Sequence, residues 1–94
     1  MDEYNKQVLR LVTLLTGACE QVRLGERTPP SKEEVEELLA DEFENPEFFG
    51  ELIDEIATYF VETARTADVQ PFSAAEAEKK IRYIFFDIEL RGLS

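Results

Sequence analysis

At 94 residues, 44% apolar and with a net charge of −11, the chain has material for one domain with a modest core and none for a second. Seven Phe set it apart from a disordered acidic tract, and no apolar run approaches the roughly 20 residues of a membrane span. Histidine is absent and Cys19 is the one cysteine, which removes the commonest general base, a zinc site and an internal disulfide together.

Further exclusions follow. The acidic balance argues against direct nucleic-acid binding, which needs a basic footprint. The opening MDEYNKQ has no basic stretch leading into an apolar one, so the expected location is cytoplasmic, with no membrane partner. A lone cysteine fits a reducing compartment. Of the metals, only oxygen-ligated ions such as magnesium or calcium stay in play.

The first helix is expected over residues 3–24. Tyr4, Val8, Leu11, Leu15, Ala18 and Val22 recur at alternating spacings of four and three, one stripe widened by Val12 and Cys19. Asp2 is a candidate cap, Gly25 a candidate stop, and Gly17 a candidate site of close helix approach. Two prolines in GERTPP prevent continuation. The second helix, 32–43, opens on the capping box Ser31-Lys-Glu-Glu34 and turns Val35, Leu38, Leu39 and Phe43 inward.

Asn45-Pro46-Glu47 reads as an N-cap, a proline at the first helical position and an acid in the first turn, opening a third helix over 46–67. Its inward side is Phe49, Ile53, Ile56, Phe60, Ala64 and Ala67, with Leu52 beside them. A second capping box, Ser73-Ala-Ala-Glu76, starts a fourth helix over 74–91, with Gly92 as its expected stop. No segment alternates with period two. The expected fold is all-α, a compact single-domain four-helix bundle spanning 1–94.

Charge is unevenly placed. Residues 33–64 hold twelve carboxylates and no Lys or Arg, leaving ten bases against nine acids elsewhere. Like charges at i,i+3 and i,i+4, such as Glu33/Glu36/Glu37 and Glu51/Asp54/Glu55, repel along a helix with no local Lys to offset them. A one-signed surface of this kind creates a field able to steer a basic partner. The candidate partner-binding face is Glu33, Glu36, Glu37, Asp41, Glu44, Glu47, Glu51, Asp54 and Glu55. Phe48 and Tyr59, off the main stripe of the third helix, are candidate aromatic anchors beside it.

Glu34-x-x-Glu37 followed after thirteen residues by Glu51-x-x-Asp54 is a different reading of the same acids. The pattern resembles the paired acidic motifs of the all-α nucleoside triphosphate pyrophosphohydrolases, the MazG-like family. That resemblance implies magnesium held between two helices against a triphosphate, with Glu34, Glu37, Glu51 and Asp54 as ligands. Helical phase points the other way: with Val35, Leu38, Leu39, Ile53, Ile56 and Phe60 inward, Glu37, Glu51 and Asp54 project outward. Cys19, beside the apolar stripe and without a histidine to activate it, reads as a buried structural residue. Glu42 falls on the apolar side of the second helix, either near enough to the helix end to reach solvent or pair with an Arg, or as a buried functional acid.

The fourth helix carries two apolar stripes. Ala77, Ile81, Ile84, Phe85 and Ile88 make the inward one; Tyr83, Phe86 and Leu90 lie nearly opposite. Such a helix is either central in its own domain or shared with another chain.

The leading expectation is a small acidic, non-enzymatic interaction protein that needs no cofactor. It would dock on a basic surface of another protein, including one that ordinarily binds nucleic acid. Inhibitors of the phage-encoded anti-defence, antirepressor or immunity kind have this physics. The alternatives are a homodimeric structural or adaptor subunit joined through Tyr83, Phe86 and Leu90, and the magnesium-dependent pyrophosphohydrolase.

Overall fold

Gly25 sets the first corner. In the computed structural model, which describes residues 3–70 and 72–93, it is the one described residue with a positive φ, 75°. Its N–H donates to the Val22 carbonyl (3.1 Å) and the Glu26 N–H to that of Gln21 (2.8 Å), a Schellman pair closing the open carbonyls of α1, Glu3–Arg23. The expected cap at Asp2 lies outside the described residues. Gly17 departs from expectation: it is exposed, and a Cβ there would meet nothing within 4 Å, so no helix approaches it.

Ser31 starts α2, Lys32–Ala40, its Oγ accepting from the Glu34 N–H at 3.2 Å. The box does not close as expected, because the Glu34 carboxylate pairs instead with Arg27. The helix ends three residues earlier than its apolar pattern implied. Glu42 and Phe43 N–H groups donate to carbonyls three residues back, tightening the chain into a turn. Two causes are visible: no basic residue offsets the dipole in the last turn of α2, and Pro46 keeps Asn45 out of the helical region, at φ −129° and ψ 74°.

The corner that follows is also tighter than a simple helix start. Pro46–Phe49 forms a 3₁₀ turn, and α3 runs only over Gly50–Arg65. Asn45 makes no side-chain cap; its carbonyl accepts from the Phe48 N–H. Phe43 and Phe49 rings pack across the corner with centroids 5.0 Å apart. Ser73 Oγ accepts from the Glu76 N–H and opens α4, Ala74–Leu93, which passes through Gly92 instead of stopping there.

The four helices enclose one core. Leu11 and Leu15 of α1, Val35 and Leu39 of α2, Ile56 and Phe60 of α3 and Ile81 of α4 are nearly inaccessible, and Cys19 is buried among them. The thiol is pushed above its ordinary pKa by that burial. Packing pairs α2 with α3, and α4 with both α1 and α3. Because α2 has one main neighbour, Val35 and Leu39 satisfy it, and Leu38, about 100° round the helix, stays 41% exposed. Phe49 and Tyr4, also placed inward by pattern, remain partly exposed at the rim. No helix among the described residues is long and apolar enough to cross a membrane.

Candidate functional site

The acidic segment divides into two parts that differ in what neutralises them. On α3, Glu51, Asp54 and Glu55 are held from outside the segment, and the exposed Glu62 makes no ion pair among the described residues. Lys32 reaches Asp54 at 2.6 Å, and Arg91, from the last turn of α4, holds Glu51 at 2.7 Å together with Glu55 and Asp87. The carboxylate contacts raise the Lys32 ammonium pKa, first through the Asp54 hydrogen bond, and that of Arg91, first through Glu55. Glu51, Asp54 and Glu55 therefore do not extend an open anionic wall. The continuous wall expected from sequence is broken by these ion pairs.

The α2 part is different. Val35 and Leu39 point into the core, so Glu33, Glu37 and Asp41 face solvent on the opposite side. Glu44 and Glu47 carry the exposed acids round the corner. Glu36 is half-buried and lies within the field of Lys32. None of these six carboxylates makes an ion pair among the described residues.

Phe48 stands in the same corner, 79% exposed, the most exposed aromatic of the described residues. It borders an open groove of about 380 Å³ shared with Phe49, Leu52, Phe85 and Ile88. Tyr59 is not its companion. It is half-buried and packs on the core, and burial raises its phenol pKa, offset in part by a hydrogen bond with Thr63.

The four acids of the pyrophosphohydrolase-like pattern are not brought together. Glu34 is tied to Arg27, Asp54 to Lys32 and Glu51 to Arg91, while Glu37 faces solvent. No group of three or more Cys, Asp or Glu side chains suited to a metal forms among the described residues. Glu42 is resolved as the paired alternative: its carboxylate lies 3.3 Å from Arg10 Nε, and its carbonyl accepts from Gln7 Nε2.

On α4, Tyr83, Phe86 and Leu90 are 59%, 58% and 50% exposed. The helix lies at the surface of the bundle, which removes the alternative of a central, fully enclosed α4. Sequence reasoning missed the role of Arg91, whose partners on α3 lie 36 and 40 residues away. Nothing local signals such contacts.

Comparison with protein-family models, with curated proteins and with solved structures finds no match for this chain.

Proposed function

We propose that this protein is a small non-enzymatic interaction module that docks on a basic surface of another protein through the outer face of α2 and the corner after it. The contact set is Glu33, Glu37, Asp41, Glu44 and Glu47, with Phe48 as the apolar anchor at its edge. What carries the reading is the contrast in pairing: Glu51, Asp54 and Glu55 of α3 are occupied by Lys32 and Arg91, whereas Glu33, Glu37 and Asp41 of α2 make no ion pair among the described residues. Unpaired exposed carboxylates retain their field for an incoming cation. An exposed aromatic rimmed by charge supplies the desolvated contact that charge alone lacks.

Where the partner surface ordinarily holds nucleic acid, carboxylates take the positions of phosphates and the outcome is inhibition. Such binding is steered more than it is glued, so it weakens steeply as salt rises. The test is capture from the native host at low ionic strength, followed by elution in a salt gradient. The triple variant Glu33→Lys/Glu37→Lys/Asp41→Lys should lose the captured partner, and Asp68→Lys, in the loop after α3, should keep it. Capture that resists both salt and the triple variant would remove the proposal.

A further inference from the structure

The face of α4 turned away from the core carries a seam. Lys79, Tyr83, Phe86 and Leu90 follow one another at spacings of four, three and four, the repeat by which two helices pack side by side. All four are exposed, so no other helix of this chain covers them. At about 100° per residue, Lys80 and Asp87 run along one flank of the seam and Arg82 and Glu89 along the other. Over residues 80–89 both flanks run from basic to acidic, whereas Glu76 and Glu78 before them and Arg91 after them carry the opposite signs. Lys80 sits beside the seam, its Nζ 5.6 Å from the centre of the Tyr83 ring.

We propose that this face joins two copies of the chain into a two-fold symmetric dimer whose α4 helices pack antiparallel. Tyr83 of each copy meets Phe86 of the other, and Leu90 covers the aliphatic stem of Lys79.

Charge selects both the occupant and its direction. In an antiparallel pair related by a two-fold axis, each flank meets the same flank of the second copy. Lys80 then faces Asp87, and Arg82 faces Glu89, and symmetry makes each pair twice. A parallel pair keeps only the Arg82–Asp87 contact and sets the two Lys79 side by side in the seam. The pattern is thus complementary to itself when reversed and frustrated when not, which is how charge fixes partner and orientation. Within its own chain Asp87 already meets Arg91, and Arg82 meets Glu78 and Asn5. Lys80 and Glu89 make no ion pair among the described residues.

One helix face is smaller than the roughly 800 Å² per partner of a standard interface, so association is reversible and follows concentration. Because α4 rests on α1 and α3, and α2 on α3, the dimer leaves the acids of α2 uncovered in both copies. The dimer stands independently of the basic partner proposed above.

Sedimentation velocity over a concentration series tests it, with circular dichroism confirming that each variant is folded. The wild type should move from one copy toward two as concentration rises. Lys80→Glu puts like charges along one flank, as does Asp87→Lys, and each variant alone should remain at one copy. Mixed together, the two variants become complementary on that flank, and the two-copy species should return. Phe86→Glu should abolish association in every combination. A wild type that stays at one copy throughout, a dimer indifferent to Phe86→Glu, or a mixture that fails to associate would each overturn the proposal.

Discussion

Arg91 Nη1, in the last turn of α4, lies 2.7 Å from Oε1 of Glu51 in the first turn of α3. The pair places a cation at a helix C-terminus and an anion at a helix N-terminus, where each opposes the local dipole. Glu55 and Asp87 share the same guanidinium, so one side chain fastens two helix ends and quiets three carboxylates. Replacing it releases like charges against one another. Arg91→Ala should lower the thermal midpoint at low salt, and the gap from wild type should narrow as salt screens the exposed acids. A gap independent of ionic strength would mean that the arginine acts by packing instead.

Leu38 and Leu39 are chain neighbours with opposite fates. Leu39 is wholly buried and Leu38 is 41% exposed. Leu39→Ala should cost about 2–5 kcal/mol through lost burial and the cavity left behind. Leu38→Ala should stay within about 1 kcal/mol, since much of its surface already meets water. Urea unfolding of the two variants measures the difference directly, and equal losses would show that α2 is rotated from the orientation described.

Gly17 and Gly25 should respond to the same substitution with opposite signs. Gly17 is in mid-helix with open space where a Cβ would stand, so Gly17→Ala should stabilise by about 0.5–1 kcal/mol. Gly25 holds a φ of 75°, so Gly25→Ala should destabilise by about 1 kcal/mol although nothing obstructs the new methyl. Chemical denaturation midpoints decide it; gain at Gly25 or loss at Gly17 contradicts the account.

Tyr59 makes stability depend on alkaline pH. Burial lifts its phenol above the usual value near 10, so the folded chain holds the proton more tightly than the unfolded one. Its contribution is complete below the unfolded value and is lost as pH rises through the folded one. Tyr59→Phe removes the titrating group, and the fall in denaturation midpoint above about pH 10 should become shallower. Identical alkaline profiles for wild type and variant would assign the fall elsewhere.

Much of the architecture was legible because local chemistry and helix period agree. The stripe through Val8, Leu11 and Leu15, the caps at Ser31 and Ser73, and the stop at Gly25 each rest on residues within a few positions of one another. Such signals survive in a linear reading because helices are made of contacts three and four residues apart. The same reading placed Leu38 and Phe49 inward and ran the second helix to Phe43. A helix as short as α2 presents too few turns for period alone to fix its rotation, and Pro46 made a corner tighter than two abutting helices.

By itself, then, the order of residues determined the four helices, the caps at Ser31 and Ser73, the stop at Gly25, the buried stripe and the concentration of acids over 33–64. Only the assembled bundle decided which acids remain open to a partner. Arg91 reaches back 40 residues to Glu51 and Lys32 reaches Asp54 from the first position of α2, while Glu33, Glu37 and Asp41 acquire no such cation. The reason is geometric. Local spacing sets which way a side chain leaves its own helix, whereas the charge that awaits it depends on which distant helix the core has drawn alongside.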